Sequence, residues 1–513
     1  MNMDNVNDNA CLERIYALSA DALSKRQMPV LPDVSALAFC RACLFESIPD
    51  HGIGVEETTN HLCLDVAPVL NASGLSPNYY GFVTGGITPA ARVAESLVSL
   101  YDQTPQVHLP NETIASNVED RALSLLLDLL NFDRRKWSGV FTTGATASNV
   151  VGLACGREFI INQRLKACMG PESQGSLGSL GLLKACRMAQ IDEINIYTTM
   201  AHSSLYKASS IVGLGRSCVH DVRRSGSGFG FDLEDLERRM ESGQHNSVSI
   251  VVVSCGEVNT GLFATYGRRD LLNLRSLCDK YGAWLHVDGA FGIFAKLLDS
   301  VAGFERVAQG AEGVDLADSI TGDAHKLLNV PYDCGFFFCR HPDLAQQVFQ
   351  NPNAAYLDTK TAPTDTIRSP LNIGIENSRR FRGLPVYATL VAYGRDGYRD
   401  MLHRQSRFAR AVAAYLYEHD AFELLPKNVF KYRERIDQNI FIIVLFKAKD
   451  DGLNEQLVQR INASSKIYVS GTVWDGSPAS RIAVANWQVE PHRDLEIVKG
   501  VVEEVIKTWA KGK

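Results

Sequence analysis

Two short stretches of the sequence place charged side chains at the ends of segments that are typical of buried strands. The first is "LHVDGAFG", Leu285 to Gly292, in which Asp288 ends an apolar run. The second is "DSITGDAHKLLNVPYDCG", Asp318 to Gly335, in which Lys326 stands between two predicted strands. Because ligands in open α/β sheets bind beyond the carboxyl ends of the strands, these stretches predict a binding site at one edge of a sheet.

Strands alternate with helices around these stretches. The run "SVSIVVVSCGEV", Ser247 to Val258, is β-branched and nearly continuous, which is typical of a strand buried on both faces. The alternation predicts an α/β fold with a mainly parallel sheet, helices on both faces and right-handed crossovers. We divide the 513 residues into an N-terminal helical segment at 1–105, a large α/β domain at 106–385 and a smaller α+β domain at 386–513.

The composition is that of an ordinary globular protein. Hydrophobic residues make up 45% and charged residues 21% of the chain, and the formal net charge is -6. This balance gives no indication of nucleic-acid binding, which would need a clustered basic face. No apolar run reaches the length of a membrane span. Of the twelve cysteines, Cys40 and Cys43 are the closest in sequence, at a CxxC spacing that no matching Cys or His pair follows, so we expect reduced thiols, no metal site and a cytoplasmic location.

Asp288 and Lys326 together predict the chemistry of the site. A buried carboxylate is costly unless a cation neutralises it, and a protonated pyridine nitrogen or an arginine would do so. A lysine with a lowered amine pKa, set in a pocket, can form a Schiff base with an aldehyde. The two residues therefore indicate a pyridoxal 5'-phosphate site. Ala290, two residues after Asp288, would leave room for one face of the ring.

A phosphate needs backbone N–H donors at the start of a helix. The stretch "TTGATASN", Thr142 to Asn149, supplies a glycine, small residues and a hydroxyl where a helix is predicted to begin. Gly144 permits a tight turn and Thr146 can donate its hydroxyl, although such helix starts are common. His325 could bond the same phosphate. His202 follows a predicted strand and could lie flat over a pyridine ring, although a lone histidine is more often structural.

Several stretches resemble the pyridoxal phosphate-dependent group II amino-acid decarboxylases, which include aromatic-L-amino-acid, tyrosine, histidine and glutamate decarboxylases. The matching text is "YYGFVTGGITPA", "TTGATASN", "AHSSLYKA", "HVDGAFG", "DSITGDAHKLLNVPYDCG" and "RRFRGLPVYATL". The resemblance implies fold type I, the aspartate aminotransferase-like fold, with a seven-stranded and mainly parallel sheet. It also implies a homodimer with the site at the subunit interface and with the N-terminal helices packed across the partner.

The resemblance also implies roles for individual residues. Lys326 would bind the cofactor's aldehyde, Asp288 would keep the pyridine nitrogen protonated, and His202 would stack on the ring. Thr84, in "GFVT", would line the carboxylate side of the substrate. The phosphate would be received by His325 and by a turn of four residues, Gly144, Ala145, Thr146 and Ala147.

Three positions depart from the family pattern. The family often has "NPHK" where this chain has "DAHK", so Asp323 replaces a neutral amide near the phosphate. A carboxylate there is unfavourable unless it turns away or binds a backbone N–H. Glu257 stands where relatives usually carry a small or neutral polar residue near the cofactor, so it either points elsewhere or retunes the cofactor. Residues 358–384 contain no tyrosine, whereas many relatives carry a proton-donating tyrosine on a loop there, so another group such as His202 would donate.

The leading hypothesis is decarboxylation of an L-amino acid to the amine and CO2. A second is another reaction of the same cofactor, namely aldehyde synthesis, aldol cleavage or transamination, because changing the loop tyrosine favours aldehyde formation in the family. A third is a cofactor-binding protein with little catalysis, against which the intact Lys326, Asp288 and His202 argue.

The sequence indicates less about the side chain of the substrate. Tyr80 and Phe82 favour an aromatic substrate, unless they are ordinary packing. An acidic substrate would need an arginine in the pocket, and arginines of this kind are usually solvated or paired. The candidates are Arg368, Arg379, Arg380 and Arg382.

Overall fold

The structure, a computed structural model, describes residues 8–25, 28–170, 177–224, 226, 229–243, 245–351 and 367–512. Positions 358–366 of the segment that lacks tyrosine lie outside these ranges. Within them, no helix combines the length and the apolar character needed to cross a bilayer.

A seven-stranded sheet forms the centre of the large domain, as predicted. Its strands are β1 Ser138–Thr142, β2 Glu193–Thr198, β3 Val219–Asp221, β4 Ser247–Ser254, β5 Trp284–Asp288, β6 Ser319–Asp323 and β7 Gly335–Cys339. The spatial order is β1-β7-β6-β5-β4-β2-β3, and only β7 runs against the others. Asp288 pairs with Ser254 on one side and Thr321 on the other, so the ends of β4, β5 and β6 meet at one edge.

Helices cover both faces of this sheet. Because side chains on both faces of β4 are therefore buried, successive residues of this strand are apolar. Ile250 and Val252 pack into one buried cluster with the helix that follows β1. Val251 and Val253 point the other way, into the main core of the domain. A strand buried on both faces is expected to read as a continuous apolar run, and this one does.

Helices α1 to α14 belong to the N-terminal segment and the large domain. They are α1 Asp8–Ser24, α2 Val34–Ala42, α3 Val55–His61, α4 Pro89–Tyr101, α5 Ala115–Leu129, α6 Ala145–Met169, α7 Leu177–Leu180, α8 Leu182–Met188, α9 Ser203–Ile211, α10 Leu233–Ser242, α11 Arg268–Tyr281, α12 Glu305–Gln309, α13 Ala324–Leu327 and α14 Pro342–Phe349. Helix α4 begins where the sequence predicts, because the Thr88 hydroxyl accepts from the backbone N–H of Ala91 and proline takes the first helical position.

The C-terminal domain is a smaller α+β unit. Its antiparallel sheet has the order β10-β11-β9-β8, with strands β8 Phe422–Leu425, β9 Ile443–Ala448, β10 Ser470–Trp474 and β11 Ser477–Ala483. Its helices are α15 Gly383–Glu418, α16 Glu434–Asn439, α17 Asp451–Asn462 and α18 Pro491–Gly512. These elements enclose a second hydrophobic core.

Helix α15 joins the two cores, so the predicted boundary between residues 385 and 386 falls inside a helix. Tyr398 and Leu402 pack into the core of the large domain, and Phe408 and Val412 pack into that of the C-terminal domain. The helix is interrupted at Gly394, whose φ is +58°. Residues that have a Cβ are strained at such a positive φ, whereas glycine is not. The change from one core to the other therefore occurs along α15.

Candidate active site

A cavity of about 490 Å³ opens at the carboxyl edge of the large sheet. It brings together residues that are widely separated in the sequence. The predicted residues that line it are Phe82, Gly144, Ala145, Thr146, Ala147, His202, Glu257, Asp288, Ala290, Asp323, His325 and Lys326.

Asp288 ends β5, and helix α6 holds its carboxylate in place. Oδ2 accepts a hydrogen bond from Nδ2 of Asn149 at 2.9 Å, and Oδ1 accepts from the backbone N–H of Ala290 at 3.3 Å. Among the described residues these are the hydrogen bonds of the carboxylate. Lone pairs therefore remain for a cationic group in the cavity.

A line of buried polar groups fixes the orientation of Asn149. Its Oδ1 lies 2.9 Å from Nε2 of His286, whose Nδ1 lies 2.7 Å from Oγ of Ser319. That hydroxyl also accepts from Nε1 of Trp284 at 2.9 Å. Because an amide oxygen only accepts, His286 donates to Asn149 through Nε2, and Nδ1 of the neutral ring accepts from the Ser319 hydroxyl. This direction leaves an amide N–H of Asn149 for Asp288. Burial lowers the pKa of His286 to about 4, so the imidazole is neutral at pH 7, as this line requires.

Lys326 lies on α13, just beyond the end of β6, and is paired with the last residue of that strand. Its Nζ is 2.8 Å from Oδ2 of Asp323. Oδ1 of Asp323 accepts from the backbone N–H of Ala145, the first residue of α6, at 2.6 Å. The Asp323 side chain is only 4% exposed. The sequence left two alternatives for Asp323, which were to turn away or to bind a backbone N–H. The structure shows the second, at a helix start that favours anions.

Two histidines border the same cavity. His325 accepts from the backbone N–H of Cys334 through Nδ1 at 3.3 Å, and its Nε2 lies 3.6 Å from Oδ1 of Asp323. His202 caps α9, where its Nδ1 accepts from the backbone N–H of Ser204 at 3.2 Å. Burial lowers the pKa of both imidazoles, which favours neutral rings at pH 7.

Glu257 lines the cavity, but its carboxylate is occupied by its own turn. Oε1 accepts from the backbone N–H of Asn259 at 2.9 Å, and Oε2 accepts from that of Thr260 at 2.8 Å. The reading in which Glu257 serves local structure is therefore favoured by its contacts.

Arg481 brings a buried guanidinium to the cavity from β11, and no pattern in the sequence distinguishes it from other arginines. Its Nε donates to the carbonyl of Val258 at 2.6 Å, and the residue is 4% exposed. Its Nη2 is buried without a hydrogen-bond partner among the described residues. Burial lowers the pKa of Arg481 to about 10, and the nearby Glu257 opposes that shift.

The four arginines considered from the sequence are already paired elsewhere. Each makes an ion pair with a carboxylate outside the cavity, and the pairs are Arg368–Asp343, Arg379–Glu119, Arg380–Glu95 and Arg382–Asp333. The structure therefore does not support these arginines as groups that bind an acidic substrate, because their charges already have partners.

The N-terminal stretch contributes fewer side chains to the cavity than predicted. Phe82 lines it and is 65% exposed. Tyr80 is fully buried in the C-terminal core, where its ring lies 5.5 Å from that of Phe408. The prediction that Tyr80 contacts the substrate is therefore wrong. Thr84 is buried and does not line the cavity, and its hydroxyl donates to the carbonyl of Gly81 at 2.9 Å.

The arrangement fits a phosphorylated pyridine aldehyde. The start of α6 already holds an anion, the carboxylate of Asp323, which shows that its N–H groups can receive a phosphate oxygen. Asp288 and the amine of Lys326 lie in the same cavity, and a carboxylate and an amine are the groups that suit a pyridine nitrogen and an aldehyde. The fold and the cavity together define the class of pyridoxal phosphate-dependent enzymes.

Comparison with known proteins identifies the family. The family described as "Pyridoxal-dependent decarboxylase conserved domain" matches residues 114–432. The chain belongs to this family, whose members are enzymes that use pyridoxal phosphate. The recognition, the fold class and the cofactor predicted from the sequence are thereby confirmed.

Individual relatives are distant. L-2,4-diaminobutyrate decarboxylase of Acinetobacter baumannii is 25% identical over 363 residues, which are 69% of this chain and 66% of that protein. Phenylacetaldehyde synthase of a Rosa hybrid cultivar is 24% identical over 447 residues, 85% of this chain and 82% of that one. The crystal structure of Oryza sativa TDC with PLP and tryptamine has a TM-score of 0.80 at 20% identity and covers 99% of both chains. The last likeness shows that the described part of the chain shares its fold with that structure.

Proposed function

We propose that this enzyme decarboxylates an L-amino acid to the amine and CO2, with the cofactor held between Lys326 and Asp288. The observation that carries the proposal is one cavity that joins these two residues to a helix start already bonded to a carboxylate. When bound, pyridoxal phosphate supplies a positively charged ring that accepts the electron pair left at Cα as CO2 departs. Asp288, oriented by Asn149, would stabilise that charge by facing the ring nitrogen.

The remaining lining residues would bind and orient the cofactor. Lys326 would attach to the aldehyde carbon, and His202 would lie against the ring. His325 and the start of α6 would receive the phosphate, through the four residues of the turn, Gly144, Ala145, Thr146 and Ala147. Ala290 would leave space beside the ring. These roles are supported by the shared cavity and by the hydrogen bonds that orient each group.

Arg481 would orient the substrate through its carboxylate. It is a buried cation that lines the cavity, its Nη2 has no hydrogen-bond partner among the described residues, and a carboxylate is the anion that every amino-acid substrate carries. A guanidinium binds carboxylates with two parallel hydrogen bonds, which fixes their direction. That direction matters because the bond that breaks at Cα must be aligned with the ring.

An aromatic side chain is the substrate class that we favour. Several residues that line the cavity are apolar or aromatic, namely Phe82, Val83, Met200, Val258, Phe291 and Tyr332. Such a lining stabilises an apolar ligand and offers no carboxylate to a cationic side chain at these positions. The structural neighbour from Oryza sativa, solved with tryptamine, supports the same class.

Aldehyde synthesis is the second candidate. It is favoured by the lack of tyrosine between residues 358 and 384 and by the relative named phenylacetaldehyde synthase. The overall reaction would consume O2 and water and would release the aldehyde, CO2, ammonia and hydrogen peroxide. Those products distinguish it from simple decarboxylation.

We further propose a homodimer in the cytoplasm, with the first 105 residues packed across the partner. Of the 31 large apolar side chains that are exposed in the described part of the chain, 20 precede residue 105. Apolar surface concentrated in this way indicates a protein interface. None of the twelve cysteines, all of them within the described ranges, forms a disulfide, which suits a reducing compartment.

A product screen tests the proposal. The purified enzyme with added cofactor is incubated with a panel of L-amino acids, and the products are identified by mass spectrometry alongside a peroxide assay. We expect an amine and CO2 from an aromatic amino acid, and no product from Lys326→Ala. An aldehyde with stoichiometric peroxide would establish the second candidate, and equal turnover by Lys326→Ala would contradict both.

A further inference from the structure

The carboxylate of Asp323 occupies a position that a phosphate would also require. It is buried, and its two oxygens have different partners on different elements. Oδ1 accepts from the backbone N–H of Ala145 at 2.6 Å, and Oδ2 lies 2.8 Å from Nζ of Lys326. One side chain thus contacts both the anion-binding start of α6 and the reactive lysine.

The start of α6 has a limited supply of donors. The first N–H groups of a helix have no partner within the helix, and their attraction for anions falls off within the first turn. Asp323 already uses the N–H of Ala145. The packing is also tight, since a Cβ added at Gly144 would lie 3.4 Å from Oδ1 of Asp323 and 3.3 Å from Cε1 of His325.

We propose that Asp323 is an internal competitor for the phosphate of the cofactor. In the cofactor-free enzyme its carboxylate binds the first N–H of α6 and neutralises Lys326. When the cofactor binds, the carboxylate would give up the N–H of Ala145 to a phosphate oxygen. It would also lose the ammonium of Lys326, because that group gives up a proton and condenses with the aldehyde, with release of water. This inference rests on the proposed placement of the cofactor.

Both losses oppose cofactor binding. A carboxylate and a phosphate dianion repel each other strongly at contact distance in a buried site. Nε2 of His325 lies 3.6 Å from Oδ1 of Asp323, but burial lowers the pKa of that ring, so it is a weaker partner than an ammonium. The neutral amide common at this position in the family would not repel the phosphate. Asp323 therefore weakens retention of the cofactor while it keeps the empty site free of an unpaired charge.

The test measures cofactor affinity instead of turnover. The cofactor is removed from the wild type and from Asp323→Asn and Asp323→Ser, and pyridoxal 5'-phosphate is titrated by fluorescence. We expect both variants to bind at least about tenfold more tightly than the wild type, because each removes a charge that repels the phosphate. Asp343→Asn is the control, since it removes the same charge from a side chain that is 94% exposed on α14, and it should bind like the wild type.

Inorganic phosphate serves as a second probe that involves no reaction with Lys326. It should stabilise cofactor-free Asp323→Asn and Asp323→Ser against thermal unfolding at lower concentrations than it stabilises the wild type. Wild-type affinity, or weaker, in both charge-removing variants would overturn the inference while leaving the proposed function intact. Failure of the wild type itself to bind pyridoxal phosphate would overturn the proposed function and the inference together.

Discussion

Oδ1 of Asn149 lies 2.9 Å from Nε2 of His286, and through this contact the interior of the sheet orients the carboxylate of Asp288. Both residues are fully buried and lie on different elements, α6 and β5. Removing one member of such a buried line leaves polar groups without partners, which costs about 1–3 kcal/mol. The relationship therefore connects the stability of the large domain to the electrostatics of the cavity.

Replacing Asn149 by leucine should reduce kcat by about 10–100-fold, the range typical for partners that orient a functional group from behind. Asp288 would lose its side-chain donor and turn away from the ring nitrogen. Asn195→Leu is the matched control, since Asn195 bonds Nε2 of His220 at 2.9 Å on β2. Steady-state kinetics should show near-normal kcat for the control, and an equal loss in both variants would argue against a specific role for Asn149.

His286 should make folding sensitive to acid. Its pKa is about 4 in the folded protein against an ordinary value of 6.5, so the folded protein binds fewer protons than the unfolded chain between these values. The contribution is complete above the ordinary pKa and is lost as the pH falls towards 4, by up to about 3 kcal/mol.

Urea unfolding over this pH range checks the effect of His286. His286→Gln keeps a donor and an acceptor but does not titrate, so its free energy of unfolding should fall less between pH 6.5 and 4 than that of the wild type. Parallel pH profiles for the two proteins would show that His286 does not contribute this sensitivity.

Arg481→Lys should raise KM for the amino acid by about 10–100-fold with a smaller change in kcat, because lysine keeps the charge but loses the paired N–H groups that bind a carboxylate. Arg435→Lys, on the exposed surface of α16, is the control. Initial-rate measurements over a wide range of substrate concentration separate the two constants. An unchanged KM would remove Arg481 from the substrate site.

Leu100→Asp should weaken the proposed homodimer. Leu100 is 73% exposed on α4 within the N-terminal segment, so the change leaves the monomer's core intact. Light scattering after size-exclusion chromatography should show a larger monomer fraction, with a parallel loss of activity if the site needs both subunits. Leu272→Asp, at a leucine 45% exposed on α11, should leave the oligomeric state unchanged. Equal behaviour of the two variants would contradict an N-terminal interface.

The sequence was sufficient to predict where Asp288 and Lys326 lie, because both follow segments whose apolar pattern identifies buried strands. Strands β5 and β6 end at Asp288 and Asp323, and Lys326 follows in the next helical turn. Parallel strands bring such ends together whatever their separation along the chain. The apolar periodicity and the parallel topology were therefore enough to predict that Asp288 and Lys326 lie at the same edge of the sheet.

Other features depend on contacts that no local pattern reports. Arg481 reaches the cavity from the C-terminal domain, and its neighbours on β11 read only as a strand. Tyr80 and Phe82 look alike in the sequence, but the backbone N–H of Tyr80 bonds Tyr468 of the C-terminal domain, and its ring enters that core while Phe82 stays exposed. The role of His286 became visible only through its distances to buried partners.

The most direct test of the central claim is to reduce the holoenzyme with borohydride and to map its peptides by mass spectrometry. Reduction fixes the cofactor to the amine that holds it. The account predicts the added mass on the peptide that contains Lys326. The added mass on another lysine, such as Lys296, or on no lysine at all, would contradict it.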